Sequence, residues 1–284
     1  MQIDGRTEVI AHLGYPTHAF KAPLVYNPYF EAAGINAVVV PMACRAEHFA
    51  ALLPRLFALD NVRGALITMP HKVSVLALLD ELTPTARVAG ACNAVKRLPD
   101  GRLAGDQFDG AGFVRGLRRK GFEPAGARAL VVGCGGVGSA IAASLADAGI
   151  AALALFDAQS TTADALAQRL QMHYPQVSVA TGSRDPAGFD LVVNATPLGM
   201  QPGDPLPVDV ARLDPRCFVG EVVMRTEKTA LLLAAEARGC RVQVGTDMLF
   251  EMIPPYLEFF GYPTTTAERL RALARLPATS LEEA

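Results

Sequence analysis

Short apolar or β-branched runs alternate along this chain with stretches whose apolar residues recur at helical spacing. Residues 36–43 (NAVVVPMA), 64–70 (GALITMP), 129–135 (ALVVGCG), 152–158 (ALALFDA), 190–196, 217–224 and 240–245 read as strands. Residues 46–59, 138–149, 160–174 and 227–239 read as helices. Ser160 stands where a helix cap is wanted, and Gly149 and Gly239 stand where helices stop. This alternation predicts the α/β class, with parallel sheet covered on both faces. Asp100-Gly101 predicts a hairpin turn, followed by a capped helix over 110–120. The main division is expected near residue 108, giving domains over 1–108 and 109–245. Helices from Met248 onward have no strand of their own to pack beside, so segment 246–284 is expected to join the first domain.

Composition narrows the partner. The 284 residues are 51% hydrophobic and 19% charged, with a net charge of −2. No basic excess points to nucleic acid and no charge block points to a disordered tail. A small molecule is the expected partner, with the chain acting as a monomer or homodimer. Cys44, Cys92, Cys134, Cys217 and Cys240 are scattered without the spacing of a zinc site or a disulfide framework, so buried thiols and no metal are expected. The start, MQIDGRTEVIAHLGYP, shows no apolar signal core. No apolar run reaches the ~18 residues of a membrane span. A cytoplasmic protein is the expectation.

One stretch carries explicit chemistry. Gly133, Gly135 and Gly138 satisfy G-x-G-x-x-G directly after a strand and at the opening of a helix. The first two glycines let the chain turn tightly and bring backbone N–H groups to a pyrophosphate. The third permits close helix–strand packing, and the helix N-terminus favours the anion. Asp157 ends the next strand, where a carboxylate accepts the ribose hydroxyls of a dinucleotide. No Lys or Arg follows it before Arg169. A 2′-phosphate beside this carboxylate would be repelled, so NAD is expected over NADP. The plain alternatives are a structural turn and a helix-capping aspartate.

Around this loop stand ITMPHK (67–72), GACNAV (90–95), GDQFDGAGF (105–113), GCGGVGSA (133–140), NATPLGM (194–200) and GTDMLFE (245–251), in that order. The set resembles the shikimate/quinate dehydrogenase family, whose corresponding patterns are N-V-T-x-P-x-K, G-A-x-N-T, G-x-N-T-D-x-x-G, G-A-G-G-x-x-x-A, N-A-T-P-x-G-M and G-x-x-M-L. GYPTHAFKAPLVYN (14–27) looks like a degraded form of its N-terminal motif. The resemblance implies an N-terminal substrate-binding domain and a Rossmann-type NAD(P)-binding domain with a cleft between them. It implies an NAD(P)-dependent alcohol dehydrogenase that moves a hydride between a ring hydroxyl and the nicotinamide. Lys72 and Asp109 match the family's acid–base pair, and Asn93 and Thr68 its substrate-binding residues. Gly133, Cys134, Gly135, Gly136, Val137, Gly138, Asp157, Asn194, Thr196, Pro197, Val222 and Gly245 fall at its cofactor-binding positions. His71 is adjacent to Lys72 and would face away from it on an extended segment. His12 and His18 carry no expected role.

The departures gather on the substrate side. Phe20 and Ala22 replace two serines, Leu66 an asparagine, Met224 a tyrosine and Met252 a glutamine, while NTD becomes Gln107-Phe108-Asp109. Phe20, Ala22, Met224 and Met252 are thus expected at the substrate. Buried polar groups of shikimate would lack partners there, at ~1–3 kcal/mol each. Lys21 could replace a lost contact or stay solvated. The expected substrate is shikimate, quinate or a related cyclic compound, an amino-substituted analogue included. The rival is a catalytically silent dinucleotide-binding sensor, which would have no need to keep Lys72 and Asp109.

Overall fold

A computed structural model describes residues 2–18 and 20–276. It divides into two compact units, one running through Phe108 and resuming at Ile253, the other spanning Asp109–Met252.

The first unit is built on β1 (Glu8–Gly14), β2 (Ala37–Ala43), β3 (Val62–Ile67), β4 (Glu81–Leu82), β5 (Ala94–Arg97) and β6 (Leu103–Asp106), in sheet order β2-β1-β3-β5-β6-β4. The central β1 lies parallel to β2 and β3, whereas β5 runs antiparallel to β3 and β6. This sheet is therefore mixed and not wholly parallel as expected. The cause is the hairpin at Asp100-Gly101, because so tight a reversal returns a strand only in the antiparallel sense. The periodicity also passes over β1, whose EVIAHLG sequence sets Glu8 and His12 among apolar residues without a clean alternation. As a central strand it buries both sides. Ala11 and Leu13 pack with Ala65, Ile67, Phe49 and Leu53, while Ile10 and His12 point to the opposite face by strand alternation.

Helix α1 (Pro23–Ala33) follows, with Pro23 in its first turn and Gly34 ending it at φ 66°. The Asn27 side chain locks α1 to β2, donating to the Val39 carbonyl (3.1 Å) and accepting its N–H (2.8 Å). Helix α2 (Ala46–Leu56) covers the other face through Phe49 and Leu53, and the short α3 (Pro84–Ala89) is capped by Thr83.

The second unit opens with α4 (Asp109–Arg119) and carries β7 (Arg128–Val132), α5 (Gly136–Asp147), β8 (Ala152–Phe156), α6 (Ser160–His173), β9 (Ser178–Thr181), β10 (Leu191–Asn194), β11 (Phe218–Glu221), α7 (Ala230–Ala237) and β12 (Arg241–Gln243). Its order, β12-β11-β10-β7-β8-β9, is parallel throughout. This is the doubly wound arrangement, with its switch point between β7 and β10. Leu130, Val132, Val192 and Val219 pack with Leu231 and Leu232 on one face. Two local expectations change. Helix α5 begins at Gly136, ahead of the predicted 138, and Ser160 is the first helical residue of α6, where Gln159 holds the cap position without a side-chain bond. Gly149 and Gly239 do terminate helices, at φ 84° and 92°.

Helix α8 (Gly245–Phe260) and α9 (Ala267–Leu273) complete the described chain. The predicted join lay at 245/246; the division between units falls within α8, after Met252. In the second unit Asp247 pairs with Arg119 and Lys120 (2.9 Å each) and Glu251 with Arg119 (2.7 Å). In the first, Arg63 donates to the Phe260 carbonyl (2.7 Å) and Tyr29 to that of Pro263 (3.1 Å). Residues 277–284 of the predicted C-terminal segment lie outside the described residues.

Candidate functional site

In the second unit the glycine loop links the carboxyl end of β7 to α5. Gly133 has φ 95°, and a Cβ there would stand 2.7 Å from the Ala195 carbonyl carbon. Any other residue would be strained and would push the β7 and β10 loops apart. A Cβ on Gly138 would fall on the Gly133 carbonyl oxygen, so this glycine is what lets α5 start against the turn. Gly135, at the cap position of α5, is exposed with open space around it. Backbone N–H groups are thus accessible at a helix N-terminus, as a pyrophosphate requires. Gly136 and Val137 form the first turn, half-buried, while the Cys134 thiol is buried beneath and pushed up to about 12 by burial and by Asp157.

Asp157 sits just past β8. Its Oδ2 accepts the Cys134 N–H (2.8 Å) and its Oδ1 the Gln159 N–H (2.9 Å). The carboxylate therefore faces the glycine loop, where its remaining lone pairs can take ribose hydroxyls. Asn194, buried at the end of β10, organises the next loop. It donates to the Leu198 carbonyl (3.0 Å) and accepts both the N–H (3.1 Å) and the hydroxyl (2.6 Å) of Thr196. Its side chain also hydrogen-bonds the Glu221 carboxylate, so its polar atoms are taken up within the protein. Val222 is half-buried and its N–H donates to the Asn194 carbonyl (3.2 Å). Gly245 lies where a Cβ would strike the Val223 carbonyl. Met224 and Met252 are half-buried, and Asp109 is buried at the start of α4. The loop, the carboxylate and the open helix end fit a dinucleotide.

The first unit gathers the other residues. After β3 the chain turns through Thr68, whose N–H donates to the Leu13 carbonyl (2.9 Å), and reaches Lys72, half-buried. The Lys72 carbonyl accepts the Cys92 N–H (2.8 Å), which ties this turn to the Asn93 segment. Asn93 is 1% exposed. Its Oδ1 accepts the Phe108 N–H (3.0 Å), but its Nδ2 is buried without a hydrogen-bond partner. A buried unpaired amide is costly, and it is explained where a ligand supplies the acceptor. Phe20 is half-buried and Ala22 buried ahead of α1. Burial pushes the Lys21 ammonium below its usual range.

His71 is a core residue. Its ring stacks on Phe49 at 4.0 Å and its Nε2 lies 2.8 Å from the Cys44 carbonyl. His12, without an expected role, instead stacks on Phe20 at 4.0 Å. Arg184 is a second residue the linear pattern hides. It follows β9, far from Asp157 in sequence, yet its guanidinium lies 5.7 Å from the centre of the Phe156 ring. Only the lateral order of the sheet reveals that proximity. Glu221, buried at the end of β11, accepts the Thr229 hydroxyl (2.7 Å), and burial raises its pKa. All five cysteines are free and buried. Among the described residues no cluster of His, Cys, Asp and Glu could hold a metal ion, and no helix is long and apolar enough to cross a membrane.

Comparison with known proteins is consistent along the chain. Residues 13–95 match the family profile of the shikimate dehydrogenase substrate binding domain. Shikimate dehydrogenase (NADP(+)) of Rubrobacter xylanophilus is 40% identical over 252 residues, covering 87% of this chain and 88% of that one. Among solved structures, shikimate 5-dehydrogenase of Listeria monocytogenes, in complex with shikimate and NAD, superposes with a TM-score of 0.89 at 25% identity, covering 96% of this chain and 98% of the other. The ligand-free 5-ketofructose reductase of Gluconobacter sp. strain CHM43 gives 0.87 at 26% identity, covering 95% and 98%. With an N-terminal sheet unit and a Rossmann-like unit matching solved relatives, and with identity of this extent, the chain belongs to the shikimate dehydrogenase family.

Proposed function

We propose that this protein is an NAD(P)-dependent oxidoreductase that interconverts a ring hydroxyl and ketone in shikimate, quinate or a related cyclic compound. The observation that carries this reading is the Asn93 amide, buried and unpaired beside the turn that bears Lys72. A bound nicotinamide dinucleotide supplies the hydride acceptor. The hydroxyl proton must leave as the carbonyl forms, and Lys72 takes it, with Asp109 as its acid–base partner. Asn93 Nδ2 donates to a substrate oxygen and Thr68 lines the same position. The backbone of Gly133–Gly138 would hold the pyrophosphate, with Cys134 and Val137 in that loop, while Asp157 would take the ribose hydroxyls. Thr196, Pro197, Val222 and Gly245 would border the nicotinamide end, and Met224 and Met252 would contribute apolar surface to the substrate.

NAD is the proposed preference. A ribose held by the Asp157 carboxylate would bring a 2′-phosphate against a like charge, and no Lys or Arg follows β8 before Arg169. Arg184, which reaches the end of β8 by another route, and Arg169, which interacts with Cys134 of the glycine loop, are the cations that can soften this preference. Reduced-nicotinamide absorbance, followed with NAD and with NADP across shikimate, quinate and other cyclic alcohols, tests the proposal. Turnover of a cyclic alcohol supports it. Tight dinucleotide binding without any turnover would favour a silent sensor.

A further inference from the structure

Three positions at which this chain lacks the family's polar residues, Phe20, Ala22 and Leu66, lie in the first unit, and one histidine neighbours two of them. His12 on β1 is the ladder partner of Leu66 on β3. Paired residues of parallel neighbours project to the same face of the sheet. The polar group absent at 66 is thus matched by one present on the next strand. The His12 ring also stacks on Phe20, with centroids 4.0 Å apart and planes 27° apart. Gly14, two residues along the same face, is the point where a Cβ would meet both the Thr68 methyl and the Phe20 ring. His12, Phe20, Leu66 and Thr68 are therefore one cluster.

His12 is only 8% exposed, and its Nδ1 is buried with no hydrogen-bond partner. Burial and the positive charge of Lys72 depress its pKa from 6.5 to about 4, so the ring is uncharged at neutral pH. A neutral imidazole offers one donor and one acceptor, the complement of a hydroxyl or carbonyl oxygen. It does not offer the charge that a desolvated carboxylate needs. Stacking on Phe20 fixes the ring plane, so the unpaired nitrogen is held for a partner that the protein itself does not supply.

We propose that His12 is a specificity-determining residue that hydrogen-bonds an uncharged hydroxyl or carbonyl oxygen of the substrate, and that the group received beside Phe20 is not a carboxylate. This rests on the reading that the unit carrying Lys72 binds the substrate. It points to a polyol or ketose class of substrate, in place of a ring acid held by its carboxylate.

The test uses the full chain, with 5-ketofructose and inositol as uncharged probes and shikimate and quinate as acids. Dinucleotide-linked turnover and calorimetric titration in the presence of the dinucleotide are both read. At least one uncharged probe should bind about tenfold or more tightly than either acid. His12→Leu should raise KM or Kd for that probe by about tenfold with kcat little changed, the size of one lost hydrogen bond. His12→Gln, which keeps a neutral donor and acceptor, should recover most of the loss. Equal binding by wild type and a folded His12→Leu variant would overturn the proposal. So would tighter binding of shikimate that is lost in Lys21→Met and kept in His12→Leu, which would make Lys21 the carboxylate site. Binding that depends on His12 without turnover would uphold His12 and refute the oxidoreductase reading. No binding by any probe would refute both.

Discussion

The loop after β7 and the turn after β3 both leave the carboxyl end of a strand, and in the proposed function they bind by opposite means. The glycine loop works through what it lacks. Gly133 and Gly138 sit where a side chain would collide with backbone, and Gly135 leaves amides uncovered. The turn after β3 would work through side chains, Thr68 and Lys72 with Asn93, His12 and Phe20 beside them. A backbone site admits few substitutions, whereas a side-chain site can be respecified one residue at a time without disturbing the strands beneath. On that reading the proposed cofactor loop can keep the family pattern while the proposed substrate side departs at Phe20, Ala22 and Leu66.

The largest effect should come from the one side chain the turn cannot replace. Lys72→Ala should lower turnover by about two to four decades, the range for a positioned acid–base group, and leave dinucleotide affinity unchanged in equilibrium titration. Retention of more than half the activity would remove Lys72 from the mechanism.

Next in size is the respecified pocket. Shikimate should saturate weakly, and Phe20→Ser with Ala22→Ser should strengthen its binding by roughly two decades if each restored contact contributes its usual amount. The gain belongs in KM more than kcat, because such contacts hold ground state and transition state alike. Steady-state kinetics decides, and wild-type saturation at micromolar shikimate would show that other residues hold the carboxylate.

On the cofactor side, Asp157→Ala combined with Ala158→Arg should move the NAD-to-NADP preference by about tenfold, since it exchanges a repelling charge for a pairing one. Arg184→Ala alone should weaken NADP more than NAD. Wild-type protein that binds NADP more tightly than NAD would contradict the role given to Asp157.

The smallest effect is a pH dependence of stability. His12 is neutral in the fold, with a pKa of about 4 against an ordinary 6.5. The unfolded chain takes up its proton first as pH falls, so this contribution is intact above 6.5 and is lost between 6.5 and 4. The slope is on the order of 1 kcal/mol per pH unit. In chemical denaturation across that window the wild type should lose stability relative to His12→Gln as pH falls; parallel curves would mean that His12 is not held neutral.

The sequence by itself determined the alternation of strand and helix, the glycine loop with Asp157, the hairpin at Asp100-Gly101 and the ordered motifs around Lys72. Each is a local pattern, set by turn chemistry or by periodicity within a few residues. It passed over β1, because a strand covered on both faces has no alternation to show. It also gave His12 no role and could not connect Arg184 with Phe156. Only tertiary structure decided those matters. The ladder register sets His12 beside Leu66, the course of the chain before α1 lays Phe20 on its ring, and the neighbouring strands β8 and β9 bring Arg184 over Phe156. Such contacts join residues distant along the chain, and no local pattern encodes them.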